Sequence, residues 1–221
     1  MSDMLKLMRE RHSCRGFLPR VPEKETVLQA VEAASHAASS KNTQPWKLHV
    51  ATGPACDKVR EALLAAFDSG AQAGADFKYS PSEMPPEWVA RGREIGFALF
   101  AHKGIGRDDK EARRAHDREN PRLFGAHAVA VLTVPRSAER GNYLDAGQFL
   151  GSFMLALRAV GMESVPMFSV ANYPAALRST LPIPDDRAVV CAVAFGYEDP
   201  SAPVNAFRTG REAPESLVSW A

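Results

Sequence analysis

The sequence predicts an α+β domain, with helices packed around a central sheet, and three observations carry that expectation. Residues 126–134 and 188–196 are nearly continuous runs of small and β-branched apolar side chains, the pattern of strands buried on both faces. Between and around them lie stretches whose apolar residues recur at helical spacing. One of these, residues 142–160, is apolar almost all round, with Asp145, Gln148 and Ser152 as its only polar stripe. Such a helix has to be enclosed, by its own domain or by a second subunit.

The remaining elements follow in order. Residues 3–12 have an amphipathic helical pattern. Residues 23–37 form a second helix, in which Val27, Ala30, Val31 and Ala34 share a face behind an acidic first turn at Pro22-Glu23-Lys24-Glu25. Residues 46–51 alternate as a strand, and 55–68 is a helix with Val59, Leu63, Leu64 and Phe67 on one side. Residues 69–87 hold Gly70, Gly74, Pro81, Pro85 and Pro86 and read as an irregular loop, after which helical sequence resumes to about residue 102. Residues 103–122 mix seven basic with five acidic side chains, a solvated helix face rather than a nucleic-acid patch. The long helix closes at Gly161. A strand at 164–168, a short helix at 174–181 and the strand at 188–196 complete the domain. From Pro200 onward three prolines and few large apolar side chains make an arm that lies on another surface. No repeat or linker divides the chain, so residues 1–221 are expected to form one domain.

Composition narrows the function. Apolar residues make up 45%, charged residues 24%, and the net charge is +1, so neither nucleic acid nor a membrane surface is implied as a partner. No stretch is long enough for a spanning helix, and the opening Met-Ser-Asp-Met-Leu-Lys is unlike a signal peptide. Cys14, Cys56 and Cys191 are odd in number and widely spaced, as free thiols in a reducing cytoplasm would be. The six histidines include no ligand-spaced pair, so no metal site is expected. Lys103-Gly-Ile-Gly-Arg107 is not a phosphate-binding loop, and no Gly-x-Ser-x-Gly elbow occurs.

Two polar clusters in the first fifty residues carry the chemistry. In Arg11-His12-Ser13-Cys14-Arg15, two guanidiniums flank a hydroxyl, a compact receptor for an oxyanion. In Ser39-Ser40-Lys41-Asn42-Thr43-Gln44-Pro45-Trp46, hydroxyl and amide groups can satisfy the polar edge of a flat heterocycle. Together they point to a ligand with a phosphate at one end and a hydrogen-bonding ring at the other. Taken singly, each has a plainer reading: a solvated helix end for the first, a turn and helix cap for the second. Cys14, between the proposed anion ligands, is expected to be structural rather than nucleophilic.

These two motifs, in this order and at this separation, resemble the opening of the FMN-dependent nitroreductase family of NAD(P)H nitroreductases and flavin reductase-like enzymes, and the likeness extends over nearly the whole chain. The resemblance implies a nitroreductase-like fold, a mixed central β-sheet surrounded by helices, in an intertwined homodimer. In that dimer the arm at about 200–221 crosses to the partner, and about 69–122 is a variable region over the active site. Arg11, His12, Ser13 and Arg15 would hold the phosphate and ribityl chain of FMN. Ser39, Ser40, Asn42 and Gln44 would face the flavin held mainly by the other subunit; Ala38 stands where the family often has proline. The segment with Pro166, Met167 and Phe168 resembles the one lining a side of the isoalloxazine, with the Phe168 amide near N5. Arg211, and more weakly Arg208, match the basic residue on the phosphate. A family amide or lysine at the pyrimidine edge has no clean counterpart; Asn120 is nearest.

The implied activity is a ping-pong oxidoreductase. NADH or NADPH reduces FMN by hydride transfer to N5 and leaves, and a nitroaromatic, quinone or related small acceptor then takes the electrons. No side chain is expected as acid or base. The alternatives are another reaction on the same fold (a dehalogenase, enone reductase, azoline oxidase or flavin-fragmenting enzyme) or a non-catalytic flavin-binding protein.

Overall fold

The computed structural model describes residues 3–70 and 74–221. The expected loop at 69–87 therefore lies partly, at 71–73, outside the described residues. In chain order the elements are α1 (Asp3–Glu10), α2 (Lys24–Ser35), β1 (Lys47–Thr52), α3 (Pro54–Asp68), α4 (Pro86–His102), α5 (Lys110–Asp117), β2 (Ala128–Pro135), α6 (Arg140–Ala159), β3 (Glu163–Met167), α7 (Pro174–Thr180) and β4 (Arg187–Gly196). Each expected helix and strand is present, with ends displaced by a few residues. α1 stops at Glu10, which frees Arg11 and His12 from the helix. β2 begins at residue 128 rather than 126, because Leu123 and Phe124 turn the chain through left-handed conformations (φ 56° and 52°).

The strands form one sheet in the order β1-β2-β4-β3. Every strand pair is antiparallel, which corrects the mixed sheet expected from the resemblance. Among the described residues the parallel pairing is a one-residue bridge between Ser13 and Ser164 at the β3 edge. Continuing that ladder would call for an N–H on residue 166. Pro166 has none, so the N-terminal segment leaves the edge after Cys14.

Both faces of the sheet are covered, as the unbroken apolar strands require. On one face Val129, Val131, Val165 and Met167 pack with Cys56, Val59 and Leu63 of α3 and Leu177 of α7. On the other, Ala130, Leu132, Val193 and Phe195 pack with Val27 and Ala30 of α2 and Phe149, Phe153 and Leu157 of α6. A bulge keeps β4 in phase with both layers. Leu132 pairs with Cys191 and Thr133 with Val189, so Val190 is the extra residue, and both Val190 and Cys191 face α6.

The enclosure expected for α6 holds on one side only. Asp145, Ala146, Phe149, Leu150, Phe153 and Leu157 are buried, whereas Leu144 is 68% exposed and Gly147 has open space beside it. The arm begins by packing on its own chain. Asn205 is buried, but from Arg208 to the C-terminus every residue is exposed.

Phe153 is fully buried between Phe149 (ring centroids 6.3 Å apart) and Phe195 (6.0 Å). Phe153→Ala is expected to destabilise the protein by about 3–5 kcal/mol, because it removes apolar contact and leaves a cavity that two layers share. Chemical denaturation of the purified variant measures this.

Candidate functional site

Residues 13–18 run extended between β3 and the chain that follows β4. On one side the Cys14 N–H donates to the Ser164 carbonyl at 3.1 Å. On the other, the Leu18 N–H donates to the Tyr197 carbonyl at 2.8 Å and the Asp199 N–H to the Gly16 carbonyl at 3.0 Å. Gly16 is required by this close approach, since a Cβ there would lie 2.5 Å from the Ala202 Cβ. The first motif and the root of the C-terminal arm are thereby fixed against each other.

The result is a cleft of about 360 Å³ lined by Arg11, Ser13 and Arg15 from the N-terminal segment and by Phe207, Arg208 and Arg211 from the arm. Arg9 and His12 also line it, and no lining residue is acidic. Burial and the neighbouring Arg211 hold the Arg11 guanidinium below its ordinary pKa, and burial does the same to Arg15. Three of the guanidiniums bond main-chain carbonyls: Arg15 that of Ser13 (3.3 Å), Arg208 that of Phe207 (3.1 Å) and Arg211 that of Gly210 (2.8 Å). Among the described residues, none of Arg11, Arg15, Arg208 and Arg211 is in an ion pair with a carboxylate. Clustered, partly desolvated like charges are unfavourable until an anion neutralises them. A phosphate, with several oxygens to share among guanidiniums and the Ser13 hydroxyl, fits this donor set.

His12, which lines the cleft, is held by its own chain. Its Nδ1 lies 3.1 Å from the Glu10 carbonyl and its Nε2 3.3 Å from a Glu198 carboxylate oxygen. Both ring nitrogens are thus engaged by protein oxygens, and the buried ring braces the loop. Cys14 is also structural. Its thiol donates to the Gly16 carbonyl at 3.2 Å, and burial pushes its pKa up to about 12.

The second motif does not join this cleft within the chain. Residues 40–42 make a single tight turn, and Lys41, Asn42 and Gln44 adopt left-handed φ values of 51°, 57° and 44°. Such backbone persists only where surrounding contacts over-determine it. Here the Gln44 N–H donates to the Ser39 hydroxyl at 3.1 Å, and the Gln44 side-chain amide to the Asn42 side-chain oxygen at 3.1 Å. Buried Asp145 of α6 accepts from the Ser40 N–H at 3.3 Å. The turn presents its polar groups outward.

Pro166 and Met167 lie in β3, Pro166 opposite Val193, and Phe168 follows at the strand's end. From Ser164, beside Ser13, to Phe168 is four residues, roughly 13 Å of extended chain. Phe168 therefore sits one strand length from the arginine cleft. Its ring stacks on Tyr79, with centroids 4.0 Å apart and planes at 23°. The loop bearing Tyr79 is anchored by Asp76, which accepts from Arg178 (2.8 Å), Arg136 (3.0 Å) and the Val189 N–H (2.8 Å). Burial alone would raise the Asp76 carboxyl, but these partners outweigh it and hold its pKa below the ordinary value. Sequence reasoning missed Asp76 and Tyr79, because a loop rich in glycine and proline gives no period from which a contact can be read. Asn120 does not line the arginine cleft; its carbonyl accepts from the Leu123 N–H at 2.9 Å and serves that turn.

Among the described residues there is no cluster of His, Cys, Asp or Glu that could hold a metal, and no helix long and apolar enough to cross a membrane. The described site is an acid-free cationic cleft with the β3 strand edge beside it, a donor set that fits a phosphorylated ligand. A sequence model of the Nitroreductase family matches residues 8–197, and the chain belongs to that family. It is 32% identical to the nitroreductase NfnB of Mycolicibacterium smegmatis over 93% of this chain and 87% of that one. It is 30% identical to a chloronitrobenzene nitroreductase of Comamonas testosteroni over 97% of this chain and 95% of the other. The crystal structure of the FMN- and NADPH-dependent nitroreductase NfnB of Sphigopyxis sp. strain HMH superposes with a TM-score of 0.94 at 31% identity, covering 100% of this chain and 99% of that one.

Two outcomes are expected. Gly16→Ala should cost about 1–3 kcal/mol, as overpacking at a close approach does, and Ala202→Gly in the same chain should restore most of it in thermal unfolding. The three thiols should be inert to a disulfide reagent at pH 8 until the protein is unfolded, since burial raises Cys14 and Cys191 to about 12 and Cys56 to about 11. Because these folded-state values lie above the ordinary 9.0, unfolded thiols lose protons that native ones keep. Their contribution to stability is fully present below pH 9 and is lost as pH rises toward 11–12, which melting curves over that range would record.

Proposed function

We propose that this chain is an FMN-dependent NAD(P)H oxidoreductase that reduces nitroaromatic, quinone or related small acceptors. The observation that carries the reading is the acid-free arginine cleft built from both ends of the chain, one strand length from Phe168. Relatives named for 4-nitrobenzoate, chloronitrobenzene and nitrobenzene support a nitroaromatic acceptor over dehalogenation, enone reduction, azoline oxidation or flavin fragmentation. A solved relative carries NADPH, which supports a nicotinamide donor.

FMN, when bound, supplies the hydride and electron transfer. Arg11, Arg15, Arg208 and Arg211, with the Ser13 hydroxyl, hold its phosphate. Pro166, Met167 and Phe168 would wall one side of the ring, and the Phe168 N–H would supply a hydrogen-bond donor on that side. No side chain is assigned as acid or base; protons come from solvent.

The protein acts as a homodimer, in which the turn bearing Ser39, Ser40, Asn42 and Gln44 completes the cleft of the other copy. Three observations support this reading. That turn lies away from its own chain's cleft, the outer face of α6 is uncovered around Leu144 and Gly147, and the arm carries Leu217 at 70% and Trp220 at 90% exposure. The arm crosses to the partner beyond Glu212, where Leu217 and Trp220 are exposed. The 69–122 region covers the active site: α4 presents Trp88 and Phe97 outward, and its Arg91 pairs with Glu212 of the arm at 3.3 Å. Free buried thiols support a cytoplasmic location.

Purified protein should show an oxidised-flavin absorption spectrum that bleaches anaerobically with NADPH or NADH and returns on adding 4-nitrobenzoate. Protein that stays colourless after incubation with FMN would overturn the reading. Arg11→Ala should weaken FMN binding roughly ten- to hundredfold, as expected for losing charge-assisted bonds in a half-buried cleft. Titration by flavin fluorescence measures this.

A further inference from the structure

We propose that Asn205 is a positioning residue for the cofactor phosphate, its carboxamide locking Arg15 and Gly16 onto the root of the C-terminal arm. The assignment rests on reading the arginine cleft as the phosphate site. Asn205 touches neither the cleft's open volume nor Phe168, and nothing in the sequence marks it.

The geometry is specific. Asn205 is 4% exposed, and each polar group of its side chain has a partner on another segment. Oδ1 accepts from the Arg15 N–H at 2.7 Å, and Nδ2 donates to the carbonyls of Gly16 at 2.8 Å and Asp199 at 3.1 Å. These partners fix which end is the amide, because an N–H needs the oxygen and two carbonyls need the nitrogen. The Cys14 N–H faces β3, so the Arg15 N–H, one residue on along extended chain, points away from that edge and has no strand partner. The Asn205 side chain supplies that partner.

Asn205 also lies between the two halves of the cationic cluster. Its side chain fixes the main chain of Arg15, while its own carbonyl accepts from the Arg208 guanidinium. Without an anion, Arg11 of the N-terminal segment and Arg211 of the arm repel each other across the cleft. A buried, fully satisfied carboxamide is a rigid tie against that repulsion. Releasing it lets the arm and the N-terminal segment separate, and the loss falls on the phosphate end of the ligand rather than on the ring.

The test compares FMN with riboflavin, which has the same ring and ribityl chain without the phosphate, on protein stripped of flavin. The wild type should bind FMN at least about tenfold more tightly than riboflavin, given several charge-assisted bonds to the phosphate. Asn205→Ala should erase most of that preference, weakening FMN on the order of tenfold while riboflavin changes less than about threefold. A general loss of structure would weaken both ligands alike. Asn205→Asp keeps the volume and the acceptor for Arg15 but aims an oxygen at two carbonyls. It should show the same phosphate-selective loss, and it decides the matter if the alanine variant does not fold. Retained FMN preference in either folded variant, or equal weakening of both ligands, overturns the role of Asn205. A wild type that does not distinguish FMN from riboflavin instead overturns the phosphate reading of the cleft.

Discussion

Guanidiniums repel one another, and this chain gathers them from its first fifteen and last fourteen residues around one small cleft. Holding them there is the constraint on which the rest of the structure depends. The restraining force is main-chain hydrogen bonding. Residues 13–18 are bonded on one side to Ser164 of β3 and on the other to Tyr197 and Asp199, just past β4. Gly16 lets the arm come close enough at Ala202 for this to happen. The sheet thus places both ends of the chain before any ligand arrives, and the charge left uncancelled is what an anion would satisfy.

The sheet can do this because it is rigid on both faces. β2 and β4 are buried against α3 and α7 below and α2 and α6 above, and the bulge at Val190 keeps β4 in phase with both layers. β3 is the edge strand and has two tasks. Its start receives the N-terminal segment at Ser164, and its end delivers Phe168. Pro166 lies between them and ends the pairing with the N-terminal segment, so a gap opens along the strand instead of a fifth full strand. Charge and aromatic wall are therefore separated by a fixed length of extended chain.

The turn at residues 39–44 solves a different problem. Three of its residues hold left-handed backbone that costs free energy, and the compensation comes from Asp145 in the core helix and from side chains of the turn itself. The turn is thus a strained, outward-facing polar surface whose support reaches back to the buried side of α6.

The sequence by itself determined the elements and the first chemistry. Apolar runs at 126–134 and 188–196 have one stable use, as strands covered on both faces, and helical spacing in residues 24–35 and 54–68 leaves little choice about what covers them. Arg11, Ser13 and Arg15 were legible because donor geometry is a property of residue type at short spacing. What only the tertiary structure decided depends on contacts between residues far apart in the chain: the antiparallel sense of every strand pair, the braced role of His12, the anchors Asp76 and Asp145, and the Asn205 tie. A lone asparagine or aspartate carries no period and no motif. Its partners are main-chain groups, which every residue has, so only the folded path of the backbone reveals which of them it meets.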